Sequence, residues 1–365
     1  MIVLTAVALT FLGIVSSTFA IDPDPSCIVT NYSQLSLAVK SCTIIAISNL
    51  SVPAGKSLGL NLQPGSFIKF EGRTTFEYAE WAGFLVRIQG DNITVEGAPG
   101  SLLDGQGALY WDGKGDKGML KPGFFMIKST GGSVFKNMNL LNCPHKCVSI
   151  RSSDSITFQG WTIDNSAGDA PALGHNTDGF YIRSSNGIVI TNSSVWNQDD
   201  CIVVNFGSNM IFSNITCIGG HGLSLSVGLS KTLYEENTVT NITYINCTVT
   251  NSDNGIHVKT HRDGTTGSIT DVTYKNLKLS GIRNYGINIQ QDYQDGGSTG
   301  YPESNVHILN LSLINVVGTM TGSKSVPVYI FCGSTGCSNW TWTGVSVTEG
   351  SSASSCNYFP LGFSC

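Results

Sequence analysis

The chain has 365 residues, and only 12% of them are Asp, Glu, Lys or Arg, against a usual share of about 25% in soluble domains. With 41% apolar residues, 42 Gly and a surplus of Asn, Ser and Thr, it is neither a disordered tail nor a coiled coil nor a charged helical bundle. The formal net charge of −5 removes the basic face that DNA or RNA binding requires.

In chain order, the first element is one apolar run, Ile2 to Val15, followed by small residues ending Thr18-Phe19-Ala20. It reads as a signal peptide, residues 1–20, removed after Ala20. The run is too short for a membrane span, which needs roughly 20 apolar residues, so the mature chain 21–365 is expected outside the cell and off the membrane. Sequons at Asn31, Asn49, Asn92, Asn192, Asn214, Asn241, Asn246, Asn310 and Asn339 fit a secreted glycoprotein. Next, Leu35, Leu37, Ala38 and Val39 carry a helical pattern before Cys42. A short helix there would cover the open end of a strand-built body, where bare edges invite pairing with other chains.

Between residues 150 and 310 one pattern returns, a Ser/Asn/Asp-rich turn followed by apolar, polar, apolar. It begins at Ile156, Ile188, Met210, Ile242, Val272 and Val306, in steps of 32, 22, 32, 30 and 34 residues. Each step holds several short strand-like segments broken by Gly or Asn. A strand that cannot bury its face alone is buried by stacking on the next coil, so the expected fold is all-β, a right-handed parallel β-helix forming one elongated domain. Blades of a propeller or the fixed Leu offsets of a leucine-rich repeat are not seen.

A second register locks onto the first. Asp178-Gly179-Phe180, Asp200-Cys201-Ile202, His221-Gly222-Leu223, Asn254-Gly255-Ile256 and Tyr285-Gly286-Ile287 have centres 22, 21, 33 and 31 residues apart. Parallel strands lie about 4.8 Å apart, so equivalent positions of successive coils line up on one face. Asp178, Asp199, Asp200 and His221 therefore fall together. A single Asp-Gly is an ordinary turn dipeptide, but three mutually repelling carboxylates point to acid/base chemistry in which one group keeps its proton near neutral pH. Carboxylates on neighbouring coils would lie about 5 Å apart. Lys259 shares a strand face with His257 and is placed to hold a substrate carboxylate or to neutralise the Asp column.

Eleven cysteines in an oxidising compartment should mostly pair. Local grouping suggests Cys27 with Cys42, Cys201 with Cys217, Cys332 with Cys337 and Cys356 with Cys365. Cys143 and Cys147 would make a fifth bridge and leave Cys247 as a buried thiol. No Cys-x-x-Cys pair supports zinc, and Gly105 to Gly115 lacks the full Gly-x-Gly-x-x-Gly of a nucleotide loop.

Asn176-Thr177-Asp178-Gly179-Phe180, Gln198-Asp199-Asp200-Cys201, Gly219-Gly220-His221-Gly222-Leu223-Ser224 and Tyr285-Gly286 resemble, in order and spacing, the signature of the polygalacturonases of glycoside hydrolase family 28. Leu103-Asp104-Gly105-Gln106-Gly107, Trp111 to Gly115, and Cys332-Gly333-Ser334 with Cys337 to Trp342 look like further family segments, so the resemblance spans nearly all the mature chain. It implies hydrolysis of the α-1,4 bonds of polygalacturonate in pectin, with inversion and endo attack, by a monomer needing no metal or cofactor. Asp200 would be the general acid and Asp178 and Asp199 would activate water, with His221 beside them. Asn176, His257, Lys259 and Tyr285 would contact sugar.

Two departures stand out. His257-Val258-Lys259 replaces the family's Arg-Ile-Lys, exchanging a permanent cation for an imidazole. Leu225-Ser226-Val227-Gly228 is one residue shorter than the usual Ile-Gly-Ser-Val-Gly, which would displace the loop behind His221; Arg262 is the nearby candidate to replace the lost cation. The alternatives to an active hydrolase are a catalytically impaired binder of pectin fragments or of a protein partner, and a secreted solenoid with no carbohydrate role.

Overall fold

The computed structural model describes residues 23–365 apart from 172 and 295. The signal peptide expected over residues 1–20 lies outside the described residues.

Every strand pairing among the described residues is parallel except one short hairpin, Tyr293 and Gln294 against Ser298 and Gly297. All of the strands join in one continuous ladder, which is the parallel β-helix. Register shows how the coils stack. Phe180 lies beside Ile202, then Leu223, Ile256, Ile287 and Val328 on the following coils. Two residues on, Ile182, Val204, Leu225, Val258, Ile289 and Ile330 form a parallel inward column, and all of these side chains are buried. Each column is a continuous apolar stack, so every coil supplies the neighbour its own strands cannot. Aromatic rings stack in the same way, Tyr244 on Tyr274 with centroids 4.7 Å apart.

The turns are held by asparagines. Asn192, Asn214, Asn241, Asn246, Asn276, Asn310 and Asn315 all adopt positive φ, a conformation Asn tolerates better than most residues. Their amides then bond coil to coil, Asn214 Nδ2 to Asn192 Oδ1 at 3.1 Å, Asn241 Nδ2 to Asn209 Oδ1 at 2.7 Å and Asn310 Nδ2 to Asp271 Oδ1 at 2.8 Å. Each of the Asn214, Asn241 and Asn310 sequon amides therefore donates one N–H to a turn of the neighbouring coil at the surface.

The helix forms at Leu35–Ser41 and packs on the first coils with Leu35 and Ala38 buried. Leu37 is 68% exposed, because at helical pitch it falls opposite those two. The last repeat step also differs from expectation. Val272 pairs with Leu311, not Val306, and Val306 pairs with Gly267. The inserted hairpin at Tyr293 to Ser298 lengthens that coil and shifts the register read from sequence. All five expected disulfides are present, including Cys143–Cys147, and Cys247 is a buried thiol.

Candidate active site

The column of turns just before the inward Phe180–Ile202–Leu223 stack carries Asp178, Asp200, His221, Asn254 and Tyr285 on successive coils. Each is followed by Gly or Cys because the backbones pack closely there. Gly222 has φ +81°, and a Cβ on it would lie 2.2 Å from the Asn254 carbonyl oxygen. Asn197 fixes the turn that holds the acid pair. Fully buried, its Nδ2 donates to the carbonyls of Thr177, Asp199 and Asp200 at 2.9, 3.0 and 3.0 Å.

Asp199 Oδ1 accepts from the Asp200 backbone N–H at 2.7 Å and lies 3.2 Å from His221 Nδ1. Its Oδ2 accepts from Asn176 Nδ2 at 3.1 Å. Asp200 is gripped differently. Ser224 Oγ donates to its Oδ1 and Lys259 Nζ to its Oδ2 at 2.9 Å, with both charged side chains below a tenth exposed. Asp178 Oδ1 is buried without a hydrogen bond, and the closest cation, Lys146 Nζ, is 3.9 Å away.

These environments drive the three carboxylates apart. Burial, then the negative charge of Asp199, pushes the Asp178 carboxyl up to about 7. Burial acts the same way on Asp199, but the His221 charge and hydrogen bond outweigh it and hold that carboxyl well below its usual range. The partnership is reciprocal, since burial lowers His221 while Asp199 pushes it up to about 9. Lys259 is likewise raised by Asp200 against its own burial, so the ammonium keeps its proton. The polar atoms of Asp199, Asp200 and His221 fall within 4.8 Å of one another. This set does not fit a metal ion, because the imidazole holds a proton and Asp200 already carries an ammonium group.

The profile of glycosyl hydrolases family 28 matches residues 42–365. A polygalacturonase of Phaedon cochleariae is 51% identical over 345 residues, covering 94% of both chains. The chain belongs to glycosyl hydrolase family 28. A probable endopolygalacturonase I of Aspergillus terreus is 46% identical over 343 residues, 93% of this chain and 91% of that one. Among solved structures, endopolygalacturonase I from Stereum purpureum, complexed with two galacturonates, superposes with a TM-score of 0.80 at 34% identity. The match covers 90% of this chain and 96% of that one.

Within this family 28 framework, the sequence-predicted residues Asp178, Asp199, Asp200, His221, Asn176 and Lys259 converge. Tyr285 does not touch them. It stands two coils beyond His221, with its ring 5.4 Å from that of Tyr329. Asn176 is tied into the protein, its Oδ1 accepting from the Asp116 N–H at 2.9 Å. Asp200, to which the resemblance assigns the acid role, is held by Ser224 and Lys259 with its side chain only 4% exposed. Asp199, at 15%, is the most open of the three.

The shortened segment after Ser224 displaces nothing. Leu223 to Val227 pair in unbroken register with Ile256 to Thr260, and His221 stays against Asp199. Arg262 does not replace the lost cation; it is ion-paired with Glu303 at 3.3 Å and lies over the Tyr301 ring. His257 is buried, with its ring nitrogens 3.5 Å from the amides of Asn254 and Gln290. Burial, then Lys259, drives its pKa well below the ordinary value, so the ring is neutral. Asn197, Lys146 and the Ser224 contact went unassigned in the sequence. Only the adjacency of Asn197 to Gln198-Asp199 and of Ser224 to the His221 motif hinted at them.

Proposed function

We propose that this chain is a secreted, inverting endopolygalacturonase that hydrolyses the α-1,4 bonds of polygalacturonate. The observation that carries this reading is the division of labour among three carboxylates. One is paired with a cationic histidine, one is held by Ser224 and Lys259, and one has a raised proton affinity and a free acceptor oxygen. Five disulfides among the described residues support an oxidising destination, and residues 21–365 would form the mature single-domain protein.

In this mechanism the cluster holds one proton beyond that of His221. At rest it sits on Asp178; with substrate bound it passes to Asp200 and leaves Asp178 as the base. Such exchange belongs to the coupled group and not to one residue. Asp200 donates the proton to the glycosidic oxygen as the bond to the anomeric carbon breaks. A water attacks that carbon from the opposite face and gives its proton to Asp178, assisted by the anionic Asp199. The sum is one water added and the cluster proton restored. Imidazolium His221 holds Asp199 as an anion throughout. The close carboxylate spacing, usual for retaining enzymes, is compatible with water as nucleophile because a third carboxylate is available to activate it.

The second reading, a binder impaired in cutting, is favoured by one observation, the neutral His257. Release of new reducing ends from polygalacturonate between pH 4 and 8 supports the hydrolase; binding of oligogalacturonide without any release supports the binder.

A further inference from the structure

The stack axis carries a polymer across successive coils at about 4.8 Å per coil, and the charge presented to it changes at the acid cluster. On the coils before and at Asp178, Arg151 pairs in register with Arg183, and Lys128 follows the Ile127–Ile150 pair one coil earlier. Arg151 lies over the Phe84 ring at 5.3 Å and Arg183 over Phe206 at 5.4 Å. Neither guanidinium has an ion pair among the described residues, and Arg151 Nε is buried without a hydrogen bond. Two stacked like charges with no carboxylate between them repel each other, and an anionic ligand would relieve that repulsion.

On the coils after His221, the outward position of Arg151 and Arg183 is held by Lys259, Gln290 and Phe331, and the outward position two residues earlier, that of Tyr181, by His257, Asn288 and Tyr329. The one cation there, Lys259, is spent on Asp200 at 2.9 Å, and His257 is buried and uncharged. Arg262 and Arg283 at the flanks are ion-paired with Glu303 and Asp253. Asn288 Oδ1 is buried without a partner, a neutral acceptor that suits a hydroxyl and would oppose a second anion.

We propose that the groove reads ionised uronate units on the Arg151–Arg183 side of the cut and accepts uncharged, methyl-esterified units on the His257 side. This rests on the hydrolase reading and names the substrate it fits best: homogalacturonan whose free-acid stretch abuts an esterified one.

The test digests fully de-esterified polygalacturonate and randomly half-esterified homogalacturonan in heavy-oxygen water, which marks each new reducing end, and maps esters at both new ends by tandem mass spectrometry. The expected pattern is asymmetric. Esters are depleted about tenfold at one new end, as the loss of one charge-assisted hydrogen bond implies, and occur at bulk frequency at the other. Arg151→Gln with Arg183→Gln should abolish the depletion, and His257→Arg should impose it on the opposite end. Cleavage with equal ester depletion at both ends, or none at either, overturns this inference and leaves the hydrolase reading standing. No new ends from the de-esterified polymer overturns both. If His257→Arg fails to fold, the arginine double variant decides alone.

Discussion

Replacing Asp199 with Asn removes the charge on which the cluster turns. His221 owes its rise to about 9 to that carboxylate, acting against its own burial. In the variant burial and Lys259 act against only the smaller pull of Asp200, so the ring should titrate well below about 9. The corresponding coupling is roughly 3 kcal/mol as an upper bound. The His221 side chain is 38% exposed, and water screens the attraction to about 1 kcal/mol of stability. The sign follows from both partners. A raised His221 contributes stability fully below 6.5 and loses it as pH rises through about 9. A depressed Asp199 contributes above 3.8 and loses it as pH falls below that value. The deficit of the variant should therefore be widest between these limits and shrink on either side. Proton NMR of the imidazole, assigned with a His221→Gln control, reads the titration; denaturant midpoints across pH read the stability. Turnover should fall by about 10² to 10⁴, the range for a lost acid/base carboxylate. A His221 that still titrates near 9, or turnover within about tenfold of the parent, would refute the reasoning.

Lys259→Met should cost about 3–5 kcal/mol near pH 6, since it strands a buried carboxylate, and adding Asp200→Asn should recover most of the loss in chemical denaturation; equal instability of single and double variants would contradict the ion pair. The pH profile of kcat/KM should fall on the alkaline side with an apparent pKa about 7, where the proton drawn on Asp178 is lost, and an undiminished rate at pH 9 would oppose the shared-proton mechanism. Glycopeptide mapping of secreted protein should find Asn214, Asn241 and Asn310 unmodified, because their amide nitrogens donate within the turns; a glycan on any of them would show that ladder bond dispensable.

Much of the architecture was legible because period-two apolar alternation and Asn-rich turns are local signals. Phe180, Ile202, Leu223, Ile256 and Ile287 could be aligned by counting, and the Asp column followed. Where counting failed, at Val306, the cause was a hairpin insertion, which changes coil length without altering the strand pattern on either side. The members of the site were also readable, but the roles were not. Which of three Asp carboxylates is accessible depends on Lys259 reaching across 59 positions in sequence to Asp200, and no spacing rule reports that. The sequons have a structural origin as well. In this fold Asn is selected for left-handed turns, and Ser or Thr two positions on is an ordinary strand residue.

The most direct test of the central claim is the anomeric configuration of the first product released from polygalacturonate, followed by proton NMR before mutarotation. The account predicts β-anomeric reducing ends from an α-linked polymer, abolished in Asp199→Asn and in Asp178→Asn. New ends that appear first as the α anomer, or a folded protein that binds the polymer and releases none, would contradict it.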